Sequence, residues 1–134
     1  MGLQSRSKHS LLIRTGNVVA KLAILLALVV GSYTYLKMNA AKPAKEICAR
    51  YVRGADFTIE NFAKEVKVNG ILVSSISDGE EKITVDDKTD RSKFAGKPFT
   101  GRAAATSVFG MEKFTCEIYV ENGHVTETGT RWWD

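Results

Sequence analysis

The strongest hydrophobic pattern in the chain is an uncharged, almost wholly apolar run over residues 22–36, bounded by Lys21 and Lys37. As a helix, these fifteen residues rise about 22 Å, less than the roughly 30 Å hydrocarbon core of a bilayer. Extending the run back to Val18 gives nineteen residues and about 28 Å. Lys21 then lies close enough to the end to reach the interface with its ammonium group. The pattern predicts a transmembrane helix over residues 18–36.

A cleaved signal peptide is the alternative interpretation of the same segment. Cleavage requires small residues in an A-x-A-like arrangement, but residues 39–41 place Asn where a small residue is needed, and residues 30–32 lie inside the apolar run. Tyr33, Tyr35 and Lys37 are typical of side chains that anchor the end of a span at the interface. We therefore expect an uncleaved signal anchor and keep cleavage as the alternative.

Charge predicts the orientation of this span. No acidic residue occurs before Glu46, whereas four basic residues precede the apolar run: Arg6, Lys8, Arg14 and Lys21. Because positively charged flanks remain in the cytoplasm, residues 1–17 are expected to be a cytoplasmic basic tail and the rest of the chain to be exported. If the source is bacterial, the protein is a single-pass protein of the cell inner membrane with a periplasmic C-terminal domain.

After the span, the pattern predicts a short linker and then helices. Residues 37–45 contain Pro43 and no clear period, as expected of a linker before an exported domain over residues 46–134. One apolar stripe at helical spacing follows, formed by Ile47, Cys48, Tyr51 and Val52. A second stripe comes after a cap at Asp56 or Thr58 and ends at Asn69-Gly70; it consists of Ile59, Phe62, Ala63 and Val66. The pattern leaves open one kinked helix or two short ones.

From residue 71 the hydrophobic period changes to two, which predicts strands. Turn signals separate five candidate strands, at residues 71–77, 82–86, 99–109, 112–121 and 124–133, with a polar loop over residues 87–98. Asn122-Gly123 is the strongest hairpin signal among the turns. The predicted fold class is α+β: a transmembrane helix followed by a small domain in which an N-terminal helix packs on an antiparallel sheet of about five strands.

Cys48 and Cys116 are the two cysteines, and in a small exported domain they are expected to form one disulfide bond. Two-residue turns at 110–111 and 122–123 place Cys116 between Ala105 and Gly129. These small residues leave space above the sheet, where a helix carrying Cys48 could lie. The same register places Trp132 on the face opposite Cys116.

The net charge of +4 belongs to the N-terminal part of the chain. Residues 1–45 hold seven Lys/Arg and no Asp/Glu, whereas residues 46–134 hold twelve Lys/Arg and fifteen Asp/Glu. The exported part therefore lacks the basic surface that phosphate backbones require. We expect no nucleic-acid partner.

No arrangement of residues indicates catalysis. His9 lies in the tail and His124 flanks a turn, and no serine elbow, His-Glu-x-x-His, phosphate-loop or dinucleotide motif occurs. An acidic cluster resembles a calcium loop, but Lys88 occupies a ligand position and the central glycine is missing; its members are Asp78, Glu80, Glu81, Asp86, Asp87 and Asp90. We expect a solvated acidic loop, no metal, no cofactor and no evident small-molecule substrate.

These observations favour a membrane-anchored, non-catalytic protein-interaction module, such as an assembly factor, accessory subunit or regulator of an envelope complex. The alternative is a secreted inhibitor or small ligand-binding protein released by cleavage. Candidate partner-binding residues have side chains of types enriched at interfaces, or apolar area on the sheet face that the helix leaves open. They are Val108, Tyr119, Arg131 and Trp132.

Overall fold

The computed structural model describes residues 2–86, 90, 92–94 and 96–133, with side chains from residue 10 onward. The chain divides into two compact units, Met1–Lys37 and Met38–Asp134. One helix, α1 (Gly2–Arg50), contributes to both units.

The first unit is the helical, apolar part of α1. Its 18-residue window of highest hydropathy has a mean hydropathy of 1.9, and none of that window is buried in the structure. Its length and composition are those of a helix that could cross a membrane or act as a signal sequence. Two side-chain hydroxyls on it donate to backbone carbonyls one turn earlier, Thr15 to Leu11 and Thr34 to Val30.

The second unit contains the end of α1, a second helix and an antiparallel sheet. The helix α2 spans Ile59–Val68. The strands are β1 (Val73–Ser77), β2 (Lys82–Thr84), β3 (Gly101–Phe109), β4 (Glu112–Glu121) and β5 (His124–Trp133), and a short 3-10 helix spans Ser92–Phe94. The strand order in the sheet is β2-β1-β3-β4-β5. The predicted α+β architecture with five antiparallel strands is confirmed.

Residues 37–45, for which the sequence predicts a linker, are helical and lie within α1. Ala41 and Ala44 are buried in the core of the second unit, and alanine is the residue most favourable to a helix. Pro43 cannot donate a helical hydrogen bond, and the neighbouring Ala44 N–H donates to Ser107 Oγ at 3.3 Å. Packing on the sheet therefore accounts for the helix continuing through a proline.

The two helical stripes form two separate helices joined by residues 51–58. Gly54 lies in this connection with φ of 87°. Thr58 caps α2, since its hydroxyl accepts from Asn61 N at 3.2 Å. The helix ends at Val68 with Asn69 as its C-cap, and Gly70 follows with φ of 68°. Both predicted capping positions are therefore confirmed at Thr58 and at Asn69-Gly70.

The helices pack on one face of the sheet, which we call the inner face. The fully buried large side chains come from both layers and include Ile47, Phe62, Ile76, Ile118 and Val125. Beneath α1, β3 contributes the small side chains of Ala103, Ala105 and Ser107, all of them buried. Cys48 reaches through this hollow to Cys116, and the two form a disulfide with a Cα–Cα distance of 5.7 Å across 68 residues of sequence. The predicted pairing is confirmed.

The register of β3 with β4 is the predicted one, with Ala105 opposite Cys116 and Ala103 opposite Ile118. The register of β4 with β5 is not. Val120 pairs with Val125 as expected, but a bulge follows, so that Tyr119 pairs with Glu127 and Cys116 with Thr130 instead of Gly129. An extra residue in one strand reverses the faces of all residues beyond it. The prediction that Trp132 lies on the face opposite Cys116 is therefore wrong.

We predict that removing the disulfide destabilises the second unit by about 4 kcal/mol, because the bond closes a loop of nearly 70 residues. The variant carries Cys48→Ala and Cys116→Ala, and urea unfolding in detergent is followed by tryptophan fluorescence. Dithiothreitol should lower the stability of the native chain by a similar amount and leave the double variant unchanged. A loss below about 1 kcal/mol would show that the packing of α1 on the sheet holds without the bond.

The raised pKa of Tyr51 predicts that the free energy of unfolding depends on pH. Burial among Phe57 and Phe62, and then the negative charge of Glu65, raise the pKa of Tyr51 from 10.0 to about 12. The folded state therefore holds this proton more tightly than the unfolded state, so the contribution is complete below pH 10 and is lost as pH rises towards 12. Urea midpoints should fall between pH 10 and 11.5 more steeply in the native chain than in Tyr51→Phe. Parallel pH profiles would contradict this assignment.

Candidate interaction surface

The sheet face opposite the helices, here called the open face, follows from the strand registers. β3 and β4 meet on it through the pairs Arg102–Tyr119, Ala104–Glu117, Thr106–Thr115 and Val108–Lys113. The bulge brings a different set from β5 to this face than the sequence predicts: Glu127, Gly129, Arg131 and Trp133. β1 adds Val73, Ser75 and Ser77. The open face is half polar, and its two ends differ in chemistry.

Near the 122–123 turn the open face is polar, and we call this part the polar end, formed by Arg102, Glu117 and Tyr119. Arg102 lies 3.5 Å from Glu117 in an ion pair, and the Tyr119 hydroxyl donates to the second Glu117 oxygen at 3.1 Å. Tyr119 is 37% exposed. The carboxylate therefore orients an arginine and a tyrosine, two side chains frequent at binding hot spots.

At the other end, where β3 turns into β4, the surface is apolar. Val73, Val108, Met111 and Trp133 border a shallow depression whose floor includes Thr106 and Thr115. The two threonine hydroxyls lie 3.0 Å apart and hydrogen-bond to each other. The two hydroxyl groups of the floor are therefore paired with each other, and the side chains around them are exposed and apolar.

The rim is flanked by cations. The Arg131 guanidinium lies 4.6 Å from the centre of the Trp133 ring, in a cation–π contact. Lys113 also lines the depression. This part of the surface therefore combines a tryptophan, a methionine and aliphatic side chains with two positive charges.

The structure separates the four predicted partner-binding residues. Val108, Tyr119 and Arg131 lie on the open face, but Val108 and Tyr119 are six ladder positions apart, which is about 20 Å. Trp132 lies on the inner face, with its ring centre 4.9 Å from that of Phe114 in an edge-to-face contact. Whether any of them binds a partner remains a prediction.

Sequence reasoning missed Trp133, Met111, Leu72 and Val73 as members of this surface. Trp133 lies on the open face because of the bulge, which the sequence did not indicate, and Leu72 was assigned to a strand that begins one residue later, at Val73. Leu72 and Met111 are 92% and 93% exposed. The available signal was their position next to turns, where an apolar residue has no neighbouring strand to cover it.

The described carboxylates Asp78, Glu81 and Asp90 of the acidic segment bind neighbouring protein groups. Asp78 accepts from the backbone N–H groups of Glu81 and Glu80, at 2.9 and 3.0 Å, and these bonds lower its pKa. Asp90 accepts from Ser92 N at 2.9 Å, which lowers its pKa as well, and Glu81 pairs with Lys93. Asp87 lies outside the described residues. Across the described residues, no group of three or more His, Cys, Asp or Glu side chains is placed to hold a metal ion.

His124 has a partner that the sequence did not indicate. Its Nδ1 lies 3.1 Å from an Asp56 carboxylate oxygen, and the two residues also form an isolated β-bridge. Their side chains are 62% and 88% exposed, so the attraction is screened by solvent. Backbone hydrogen bonds hold the connection between the helices on the start of β5, since Val125 N–H donates to the Ala55 carbonyl at 2.9 Å and Phe57 N–H to the Gly123 carbonyl at 2.8 Å.

A further depression lies between the start of α2 and residues 96–99. Its lining includes Phe57, Thr58, Phe94 and Phe99, with Glu60 and Lys97 as charged members. The Thr58 hydroxyl already accepts the capping bond of α2. The described groups of this lining do not form a nucleophile–base pair of the kind that covalent catalysis needs.

No protein-family model, curated protein or solved structure matches this chain. Its fold and surface define it as an α+β domain, closed by one disulfide, that directly follows a long apolar helix.

Proposed function

We propose that the protein is a membrane-anchored, non-catalytic interaction module. The apolar part of α1 is the anchor and remains uncleaved, the basic N-terminal tail is cytoplasmic, and the disulfide-bonded domain is exported. The partner is a protein of the same membrane or envelope, and the protein acts as an assembly factor, accessory subunit or regulator of the complex.

One observation carries this proposal. The residues that follow the apolar segment are helical and contribute to the core of the folded unit, since Ala41, Ala44 and Ile47 are all buried there. The signal-peptide site considered at residues 39–41 lies inside this packed helix. Cleavage there would remove residues up to Ala41 from the fold, whereas an uncleaved anchor leaves the domain intact.

The polar end of the open face is the proposed contact with the protein partner. Tyr119 offers an amphipathic ring that is partly exposed, and the shared Glu117 carboxylate holds both Tyr119 and Arg102 in place. Side chains held in this way lose little conformational freedom on binding. Gly129 opposite Glu117 leaves space beside this network.

The anchor is tested by extraction of the full chain carrying a C-terminal epitope tag. We expect a full-length protein of 14.7 kDa plus the tag that resists alkaline carbonate, dissolves only in detergent and exposes its C-terminal domain to protease on the exported side. A shorter, carbonate-soluble form would instead support the cleaved, secreted inhibitor or ligand-binding protein.

The partner contact is tested by crosslinking in native membranes. Tyr119→Ala should reduce recovery of the crosslinked partner by at least about fivefold, the equivalent of about 1 kcal/mol for a hot-spot residue. Lys64→Ala, an exposed position on α2, is the matched control and should leave recovery unchanged. Equal recovery of the partner by a folded Tyr119→Ala variant would place the contact elsewhere on the domain.

A further inference from the structure

Five exposed apolar side chains gather at one end of the sheet, and we call them the apolar patch: Leu72, Val73, Val108, Met111 and Trp133. Val73, Val108, Met111 and Trp133 line one depression, and Leu72 and Val108 line the adjoining one. Their exposed fractions run from 44% for Trp133 to 93% for Met111. A soluble surface seldom keeps such a cluster uncovered without a function.

The patch lies at the end of the domain where the chain enters it. The depression shared by Leu72 and Val108 is also lined by Ala40 and Pro43. Ala44, one residue further, bonds to Ser107 beside Val108. The disulfide comes next along α1, and Gly54 reaches Val125 at the opposite end of the sheet.

Chain length then limits what can lie next to the patch. Ala40 follows the last residue of the apolar run, Leu36, by four residues. Four residues span about 6 Å as a helix and at most about 14 Å fully extended. The headgroup layer on each side of the hydrocarbon core is about 5–8 Å thick. If Leu36 ends the span, the edge of the patch therefore lies in or just outside the headgroup layer.

The composition of this end fits a lipid surface. Tryptophan is enriched at membrane interfaces, where its ring is in the apolar layer and its N–H is in contact with water. Two tryptophans occur here, each close to a cation. Arg131 lies over the ring of Trp133. Trp132 packs on Phe114, and Lys45 lies over the other ring of that pair, the Phe114 ring. Residues 38–46, 112–113 and 131 hold four Lys/Arg and two Glu, a balance that favours anionic headgroups.

We infer that the apolar patch docks on the lipid surface of the membrane that holds the anchor, with Met111, Leu72 and Trp133 inserted at the headgroup level. This inference rests on the proposed anchor. The four-residue tether keeps the edge of the patch within about 14 Å of the end of the span, so the lipid surface is at a high effective concentration beside it. Docking would hold the polar end of the open face, about 20 Å away along the strands, pointing away from the bilayer.

The test uses the full chain with Trp132→Phe, so that Trp133 is the single tryptophan. It is reconstituted into vesicles of phosphatidylcholine and phosphatidylglycerol at about 7:3, with or without lipid carrying a doxyl group near the headgroup. We expect strong quenching of Trp133 by the doxyl lipid and weak quenching by aqueous iodide. Leu72→Asp with Met111→Asp should reduce the lipid quenching at least threefold and increase iodide quenching by a similar factor.

Val52→Asp is the matched control, because Val52 is also an exposed apolar residue, at 61%, but lies next to the 122–123 end of the sheet. It should leave both quenching values unchanged. Leu72 and Met111 have almost no packing contacts to lose, and an intact disulfide with unchanged circular dichroism verifies folding. Leu72→Ser with Met111→Ser is the second variant, and it should give the same direction of change.

Vesicle flotation separates failure of this inference from failure of the anchor. A chain that floats with the vesicles while Trp133 is quenched only by iodide keeps the anchor and overturns the docking. A chain that does not float overturns both. Lipid quenching that is equal in the Trp132→Phe chain with and without Leu72→Asp and Met111→Asp also overturns the docking. A crosslink from the patch to a protein in native membranes, without lipid quenching, overturns it as well.

Discussion

The contact between α1 and the sheet is the interaction on which the rest of the domain depends. It requires a close approach, and small side chains permit it from both layers: Ala41 and Ala44 on the helix, and Ala103 and Ala105 on β3. The disulfide then joins the layers at the centre of the contact. Larger residues at these positions would push the helix away from the sheet. The Cα atoms of Cys48 and Cys116 would then be too far apart for a disulfide bond.

This contact explains why the chain is helical without interruption up to Arg50. A sequence of lysines, alanines and a proline has no apolar period of its own, and by local pattern it reads as a linker. The sheet supplies what the local pattern lacks, because Ala41 and Ala44 bury their methyl groups against it and Ser107 accepts the Ala44 N–H. Burial on an element some 60 residues away in sequence is a tertiary effect, which window-based reasoning cannot detect.

Most of the fold could be predicted because its turns are marked by glycine and asparagine and its strands alternate clearly. The β3–β4 register and the disulfide partner followed from a two-residue turn and the small residues around Cys116. The register of β5 could not be predicted, because β5 alternates threonine with glutamate, glycine and arginine and has no apolar face after Val125. Either face of such a strand fits the sheet, so a single bulge decides which tryptophan packs on Phe114 and which faces outward.

The bulge in β5 also changes which residues form the candidate site. Because the bulge moves Trp132 to the inner face and Trp133 to the open face, the four residues chosen from the sequence no longer form one surface, and two chemically distinct ends appear instead. The polar end orders its side chains through Glu117, as a specific protein contact requires. The apolar end presents exposed side chains near the entry of the chain, as a fluid lipid surface allows. A domain held at one end by lipid and tether would thus present its ordered end to a partner in a fixed orientation, which lowers the rotational entropy lost on binding.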